Sequence, residues 1–462
     1  MSHLHRALPM FALAASFTLP LLSCATQSIA RLDPPESIAF VDINIIDGTG
    51  GPARPHQDVV VAGDRIVSIG PTGGQFNARP IDGRGKTLLP GYVDAHAHIG
   101  SRGVSGSSGS PGLSTTDNLE RWLLSGVTTV FDMSGPAPQL GDLAARIEKG
   151  AMAAPRLFHT HLIITGKGSH PIPLITALNP LGFLLQFVLP QVENDEDIGR
   201  VLDVDDEERV DFVKIAIDRM PRGTPLLDRS LMQRLVREAR RRGHRVFVHA
   251  GDADDALAAA RAGATALAHL PWRGEITPDK AAELKASGVV VTTTVAMWES
   301  VALAAVGRFV ASDADRKLIP AAMIDSAEHP EHTDPAVADV GAELFENKVK
   351  RKSSLAALLK AGVPLMVGTD ASVPSVWPGS SYQAELRSLL NAGLPVTELI
   401  VAMTSRPAQL MAGKHADFGV VQTGKCADLV VVNGDPVLDP AALWNIDTVV
   451  RAGRIVKAVV TP

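Results

Sequence analysis

Cysteine is nearly absent from this 462-residue chain: Cys24 and Cys426 are the only two, so neither a disulfide framework nor a CxxC metal knuckle can be built. Charge of either sign is never gathered into long blocks, and 44 basic against 50 acidic residues leave a formal charge of -6. That balance carries no electrostatic footprint for nucleic acid and suits a small neutral or apolar substrate better. A GxSxG nucleophile elbow is missing too, because "GSSGS" near residue 106 has the wrong spacing and sits in a Gly/Ser loop. What the chain does have is apolar sequence, 45% of its residues, enough over this length for a barrel-sized domain with a smaller one beside it.

The first thirty residues read as an export signal rather than as fold. His3, His5 and Arg6 precede "ALPMFALAASFTLPLL", a stretch too short and too poorly flanked for a spanning helix, and "LLSC" closes it. That ending resembles a lipobox, with Leu21, Leu22 and Ser23 before a lipidated Cys24. Ordinary signal cleavage near Ala25 or Ala30 is the alternative. Either way the protein is expected outside the cytoplasm, in the periplasm or cell envelope, touching the membrane only through a lipid anchor.

Past Ala30, "SIAFVDINIIDG", "DVVVAGDRIVSIG" and "PIDGRGKTLLPG" are short alternating or β-branched runs punctuated by Gly and Asp, the pattern of small antiparallel strands. The same texture returns in "CADLVVVNGDPV" and "DTVVRAGRIVKAVV". Residues 31–90 and 414–462 are therefore expected to form two halves of one β-sandwich domain, with 91–413 inserted between them. In the insert, eight buried strand-like runs alternate with stretches apolar at helical spacing, from "YVDAHAH" through "GVTTVFDMS", "PRLFHTHLII", "VDFVKIAID", "HRVFVHAG", "ATALAHL" and "GVVVTTTVAM" to "VPLMVGTD". Strand and helix alternating in this way describe an α/β fold, a (β/α)8 TIM barrel, whose chemistry gathers at the carboxyl ends of its strands.

His96 and His98 end the first of those runs, and residues i and i+2 of a strand face the same way, so the two imidazoles converge. A satisfied core histidine beside a rim histidine would give the same spacing, as His159 and His161 in "FHTHL" illustrate. Further along, Lys214 interrupts an apolar strand, where an ammonium is costly unless it is paired or used. His249 and His269 end the fifth and sixth runs, and Asp370 ends the eighth. Any one of them has an ordinary packing or capping explanation. Together they are all metal-ligand residue types at strand ends.

HxH on the first strand, Lys on the fourth, His on the fifth and sixth and Asp on the eighth resembles the amidohydrolase superfamily in its two-metal form. The chain is most similar there to imidazolonepropionase-like and Xaa-Pro dipeptidase-like hydrolases, and motifs such as "LLPGYVDAHAH", "AAARAGATALAHL" and "GVVQTGKCADLVVVNGDP" extend the likeness over the mature chain. The resemblance implies that His96, His98 and Asp370 hold one divalent cation and His249 and His269 a second, with a carbamylated Lys214 bridging them. Imidazole and carboxylate donors suit zinc, though manganese, iron or cobalt would accept the same set. A hydroxide shared by the two cations would attack the carbonyl of a C–N bond, amide, peptide or cyclic amide, with Asp370 as the catalytic acid-base. A lactonase or esterase, a one-metal isomerase or decarboxylase, and a non-catalytic envelope barrel stay open beside that reading.

Relatives of the dipeptidase type carry Gly-Gly-His after the third strand; here "TGKGSH" makes His170 the counterpart, either a substrate contact or a loop residue without a role. The fifth strand reads "VHAGD" in place of "HAHG", which leaves recognition of a substrate carboxylate open. Met297 and Trp298 near the seventh strand are pocket wall or ordinary packing. The apolar insertion "HPIPLITALNPLGFLLQFVLPQ" is poorly suited to open water. It is expected to lid the site over a bulky apolar substrate, or to pack on the rim or against another subunit of a homo-oligomer.

Overall fold

The computed structural model describes residues 30–101, 112–178, 182–330 and 334–458; the expected export signal and Cys24 lie outside them. Strands from both ends of the chain make one nine-stranded mixed sheet. Ile38–Ile45 pairs antiparallel with Arg54–Ala62 and parallel with Lys86–Pro90, and Lys86–Pro90 pairs antiparallel with Leu429–Asn433, so residues separated by most of the chain are neighbours here. The alternating apolar residues of these strands close a core of their own, with Phe40, Ile43, Val59, Leu88, Leu429 and Val431 fully or almost fully buried.

Lys86–Pro90 runs through Gly91 straight into the barrel. A Cβ at Gly91 would stand 2.0 Å from Thr128 Oγ1, so only glycine permits the chain to pass that close. The barrel strands are β1 Tyr92–Ala97, β2 Val127–Asp132, β3 Arg156–His159, β4 Val213–Ile217, β5 Val246–Ala250, β6 Ala266–Leu267, β7 Val290–Thr292 and β8 Leu365–Met366. They pair in parallel as β1–β2–β3 and β4 to β8. Backbone bonds close the ring on both sides: Ala95 N donates to Val367 O at 2.9 Å between β1 and β8, and Ile164 N to Lys214 O at 2.9 Å beyond β3. The architecture is the expected α/β TIM barrel.

Helices that follow the strands carry the sequence signals for their own ends. After β4, Arg229–Arg241 is capped by Asp228, which accepts from Leu231 N at 2.8 Å, and it buries Leu231, Met232, Leu235, Val236 and Ala239 at helical spacing. Arg240 and Arg241 in its last turn complement the carbonyl end of the helix dipole.

Inside the barrel, Phe131, Phe212 and Phe247 form a floor, the last two with ring centres 4.7 Å apart. The pleat puts Lys214 two residues above Phe212 and His249 two above Phe247. An aromatic layer therefore sits directly beneath the residues that the sequence singled out, and it keeps water away from their lower side.

Two expectations are modified. The seventh run stops being a strand at Thr292, and Met297 and Trp298 lie instead on the helix Val295–Ala305. The buried carboxylate of Glu385 makes that turn, accepting from Thr293 Oγ1 at 2.5 Å and Ala296 N at 2.7 Å. The apolar insertion after β3 forms a helix, Ile172–Leu178, and a 3-10 turn, Gly182–Phe187. Ile172 and Leu189 anchor it in the protein, but Phe187 is 76% exposed, with Phe183, Leu184 and Val188 also open to solvent.

Candidate metal centre

Five of the six residues expected at the centre are buried, and His98 is partly exposed. His96 and His98 leave the end of β1, and their rings stand edge to face at 5.6 Å. Asp370 follows β8 in the left-handed region (φ 61°), a conformation unusual for a residue with a Cβ. Its amide donates to His96 O at 2.8 Å, which swings the carboxylate across to β1. Asp370 Oδ1 then lies 3.3 Å from His96 Nε2 and 3.0 Å from His98 Nε2. All three ligand atoms fall within 4.8 Å of one another.

Despite those short separations, the buried Asp370 Oδ1 has no hydrogen bond of acceptable geometry among the described residues. A buried carboxylate oxygen without a donor is costly. Two imidazole nitrogens and a carboxylate oxygen aimed at one point form the donor set a divalent cation takes, so the residues present fit a metal.

The other three residues adjoin this group. Lys214 Nζ is 3.4 Å from His96 Nε2. The His269 ring centre is 4.2 Å from that of His96, and its Nε2 is 3.8 Å from Asp370 Oδ2. His269 Nδ1 sits 2.9 Å from Thr294 Oγ1, which fixes the ring. The His249 ring lies edge-on to His269 at 4.7 Å. The structure thus brings all six together at one end of the barrel.

Electrostatics at the centre follow from burial. Burial pulls the Lys214 ammonium down to about 7, opposed by Asp370. Burial, then the neighbouring Lys214 charge, pushes His96 down to about 3, and burial, then His96, holds His269 well below the usual imidazole range. Burial works to raise Asp370, yet the His96 and His269 imidazoles beside it keep its carboxyl well below the usual range. Neutral His96 and His269 imidazoles beside an anionic Asp370 are the protonation states that ligate a metal.

His170 packs on this cluster: its ring stacks on His249 at 4.8 Å. Burial and then His249 bring it down to about 4. A neutral ring whose Nδ1 lies 3.1 Å from Met220 O must donate from that nitrogen, leaving Nε2 as an acceptor. Trp298 stands 5.4 Å from His269, its buried indole N–H without a partner among the described residues, while Met297 is buried in the main core.

The sequence reading passed over the groups that hold these ligands. Asp94 accepts from Thr369 Oγ1, Thr369 N and Trp122 Nε1 at 2.6, 3.0 and 2.9 Å, and burial pushes its carboxyl up to about 7. Its place two residues before His96 on the same strand face was the available signal. Asp218 accepts from His249 Nε2 at 2.8 Å; four residues after Lys214, it carried no comparable signal.

An amidohydrolase family model matches residues 87–456. An imidazolonepropionase of Shouchella clausii (strain KSM-K16) is 25% identical over 456 residues, covering 86% of this chain and 85% of that protein. An N-acyl-D-glutamate deacylase of Alcaligenes xylosoxydans xylosoxydans is 27% identical over 474 residues, covering 88% and 89%. Among solved structures, a Xaa-Pro dipeptidase with bound methionine in the active site superposes with a TM-score of 0.73 at 20% identity, over 91% of this chain and 99% of that one. With its barrel, its two-ended sheet and a His96/His98/Asp370 site fit for a metal, the chain belongs to the amidohydrolase family, as a metal-dependent hydrolase of C–N bonds.

Proposed function

We propose that this protein cleaves an amide, peptide or cyclic amide bond of a bulky, apolar small molecule at a two-metal centre. His96, His98 and Asp370 would hold one cation, His249 and His269 the second, and Lys214 would reach both. The observation that carries a metal-dependent reaction is the convergence of His96, His98 and the unsatisfied Asp370 Oδ1 within 4.8 Å. The His269 ring beside it, at 4.2 Å from that of His96, and the His249 ring, at 4.7 Å from that of His269, are the ground for a second cation.

A bound zinc pair would supply Lewis acidity toward the substrate carbonyl and lower the pKa of water. The rest of the chemistry belongs to the chain. Asp370 is placed to accept a proton at a carboxylate oxygen and return it to the leaving nitrogen. Lys214 has no carboxylate ion-pair partner among the described residues, and its Nζ lies 3.4 Å from His96 Nε2. Its free amine would bond to the carbon of CO2 and release a proton, giving a carbamate anion with two oxygen donors in place of a cation. Trp298 offers an indole N–H beside His269, and His170 offers Nε2 as an acceptor. The exposed apolar side chains between Phe183 and Val188 support a large apolar substrate. Export with a lipid anchor on Cys24, and assembly into a homo-oligomer, belong to the same reading.

A one-metal centre has an observation in its favour, since only His96, His98 and Asp370 form a three-residue ligand cluster among the described residues. Metal analysis of the purified protein decides between them. Two equivalents per chain, with hydrolysis of amides in preference to lactones and esters, support the proposal; one equivalent with no amide turnover overturns it.

A further inference from the structure

His249 presents an apparent difficulty for a second metal, because its Nε2 is already engaged by Asp218 Oδ2 at 2.8 Å. A carboxylate oxygen only accepts, so His249 Nε2 carries a proton, and in the neutral ring, the form that ligates a metal, the lone pair is then on Nδ1. The engaged nitrogen therefore identifies the free one. A metal-ligating histidine characteristically donates its other N–H to a carboxylate or carbonyl, which fixes both tautomer and ring direction.

The carboxylate is itself held from three directions. Asp218 is completely buried, and Oδ2 also accepts from Trp272 Nε1 at 2.9 Å. Arg273 Nη1 donates to Oδ1. Arg273 in turn lies over the Trp272 ring at 3.7 Å and forks onto Glu343 at 2.5 and 2.7 Å. Glu343 belongs to the helix Pro335–Glu346, so the chain of contacts runs from that helix through β6's following loop to the end of β4 and then to β5.

Room for this arrangement comes from one residue. A Cβ on Gly251 would stand 2.1 Å from Asp218 Oδ1, so any side chain there would expel the carboxylate. The "VHAGD" reading of the fifth strand acquires a reason: the position two after His249 is empty so that Asp218 can fill the space.

We propose that Asp218 is a positioning residue that presents His249 Nδ1 to the second cation, with Arg273 and Glu343 locking the carboxylate and Gly251 leaving space for it. The inference rests on the metal-centre reading above. It makes Asp218 specific to one of two sites, because its side-chain hydrogen-bond partners among the described residues are His249, Trp272 and Arg273, and neither His98 nor Asp370.

The test is a Zn2+ titration of the metal-stripped full-length protein against a chromophoric chelator, paired with imidazole 15N spectra in which the His249→Asn variant assigns the His249 signals. The native protein is expected to bind two zinc ions and to show His249 protonated at Nε2 before zinc is added. Asp218→Asn should weaken one of the two sites roughly 10- to 100-fold and leave the other unchanged. Arg273→Gln, which loosens the carboxylate without removing it, should weaken the same site less and serves where Asp218→Asn does not fold. His249 protonated at Nδ1, or both sites equally strong in the two variants, overturns the inference and leaves the metal centre standing. A native protein that binds no zinc overturns the metal centre and this inference together.

Discussion

The Asp94 carboxylate accepts a hydrogen bond from the Thr369 hydroxyl at 2.6 Å across 275 positions of chain, and so ties the end of β8 to β1. Both residues adjoin ligands: Asp94 precedes His96 by two residues, and Thr369 immediately precedes Asp370. This bond joins the two halves of the His96/His98/Asp370 group, beside the backbone bond from Asp370 N to His96 O at 2.8 Å.

Thr369→Val should therefore weaken the protein and its metal site together. The variant keeps shape but removes a buried donor to Asp94 and the acceptor for Ala371 N, which lies 3.1 Å from Thr369 Oγ1. A stability loss of about 1–3 kcal/mol is expected. Urea unfolding of the metal-free protein measures it, and unchanged stability with unchanged zinc affinity would refute the role.

Asp370→Asn should lower kcat for an amide substrate by on the order of 10²–10⁴-fold, because an amide neither takes the proton nor completes the anionic ligand set. Chelation of the native enzyme should abolish turnover and zinc should restore it. Steady-state kinetics with parallel metal analysis checks both. Turnover that survives chelation would remove the metal from the mechanism.

The exposed apolar segment after β3 should act on substrate size. Replacing Phe183 and Phe187, 47% and 76% exposed, by serine is expected to raise KM for bulky apolar amides roughly 10- to 100-fold, the equivalent of the ~1.5–3 kcal/mol that burying such a side chain is worth. Small amides should be affected little and metal content not at all. Equal effects on large and small amides would assign the segment to packing or subunit contact.

Asp205 gives a pH dependence unrelated to the site. It is 2% exposed, and burial, then the neighbouring Asp206, pushes its carboxyl up to about 7. The folded state thus holds this proton more tightly than the unfolded chain, whose carboxyl titrates near ~4. The stability this gives is complete below about pH 4 and is lost as pH rises toward 7. Asp205→Asn should accordingly be more stable than the native protein by on the order of 1–4 kcal/mol above pH 7, with the gap closing in acid. Thermal unfolding from pH 4 to 8 measures the difference, and a constant gap would show that Asp205 does not titrate in this window.

Much of the barrel was legible because both of its periodicities are local. Runs such as "VDFVKIAID" and "RVFVHA" are apolar on successive residues, as strands buried on both faces must be, and β4 and β5 fall within them. The helix after β4 announced itself by Asp228 and its apolar spacing. The seventh strand was overread at its end: "TTTVAM" has β-branched residues throughout, and what turns the chain into a helix after Thr292 is Glu385, about ninety residues further on. No local signal reports a carboxylate arriving from another helix. The insertion after β3 was rightly seen as apolar, but the sequence does not show which of its faces meets water.

The order of residues alone determined that His96, His98, Lys214, His249, His269 and Asp370 each stand at or near a barrel strand, because strand period and strand ends are written in neighbouring residues. Tertiary structure decided the rest: that Asp370 turns through a left-handed backbone to meet β1, and that His249 donates a hydrogen bond from Nε2 to Asp218. A tautomer is set by whichever acceptor lies beside the ring in space, and that acceptor here comes from the end of another strand.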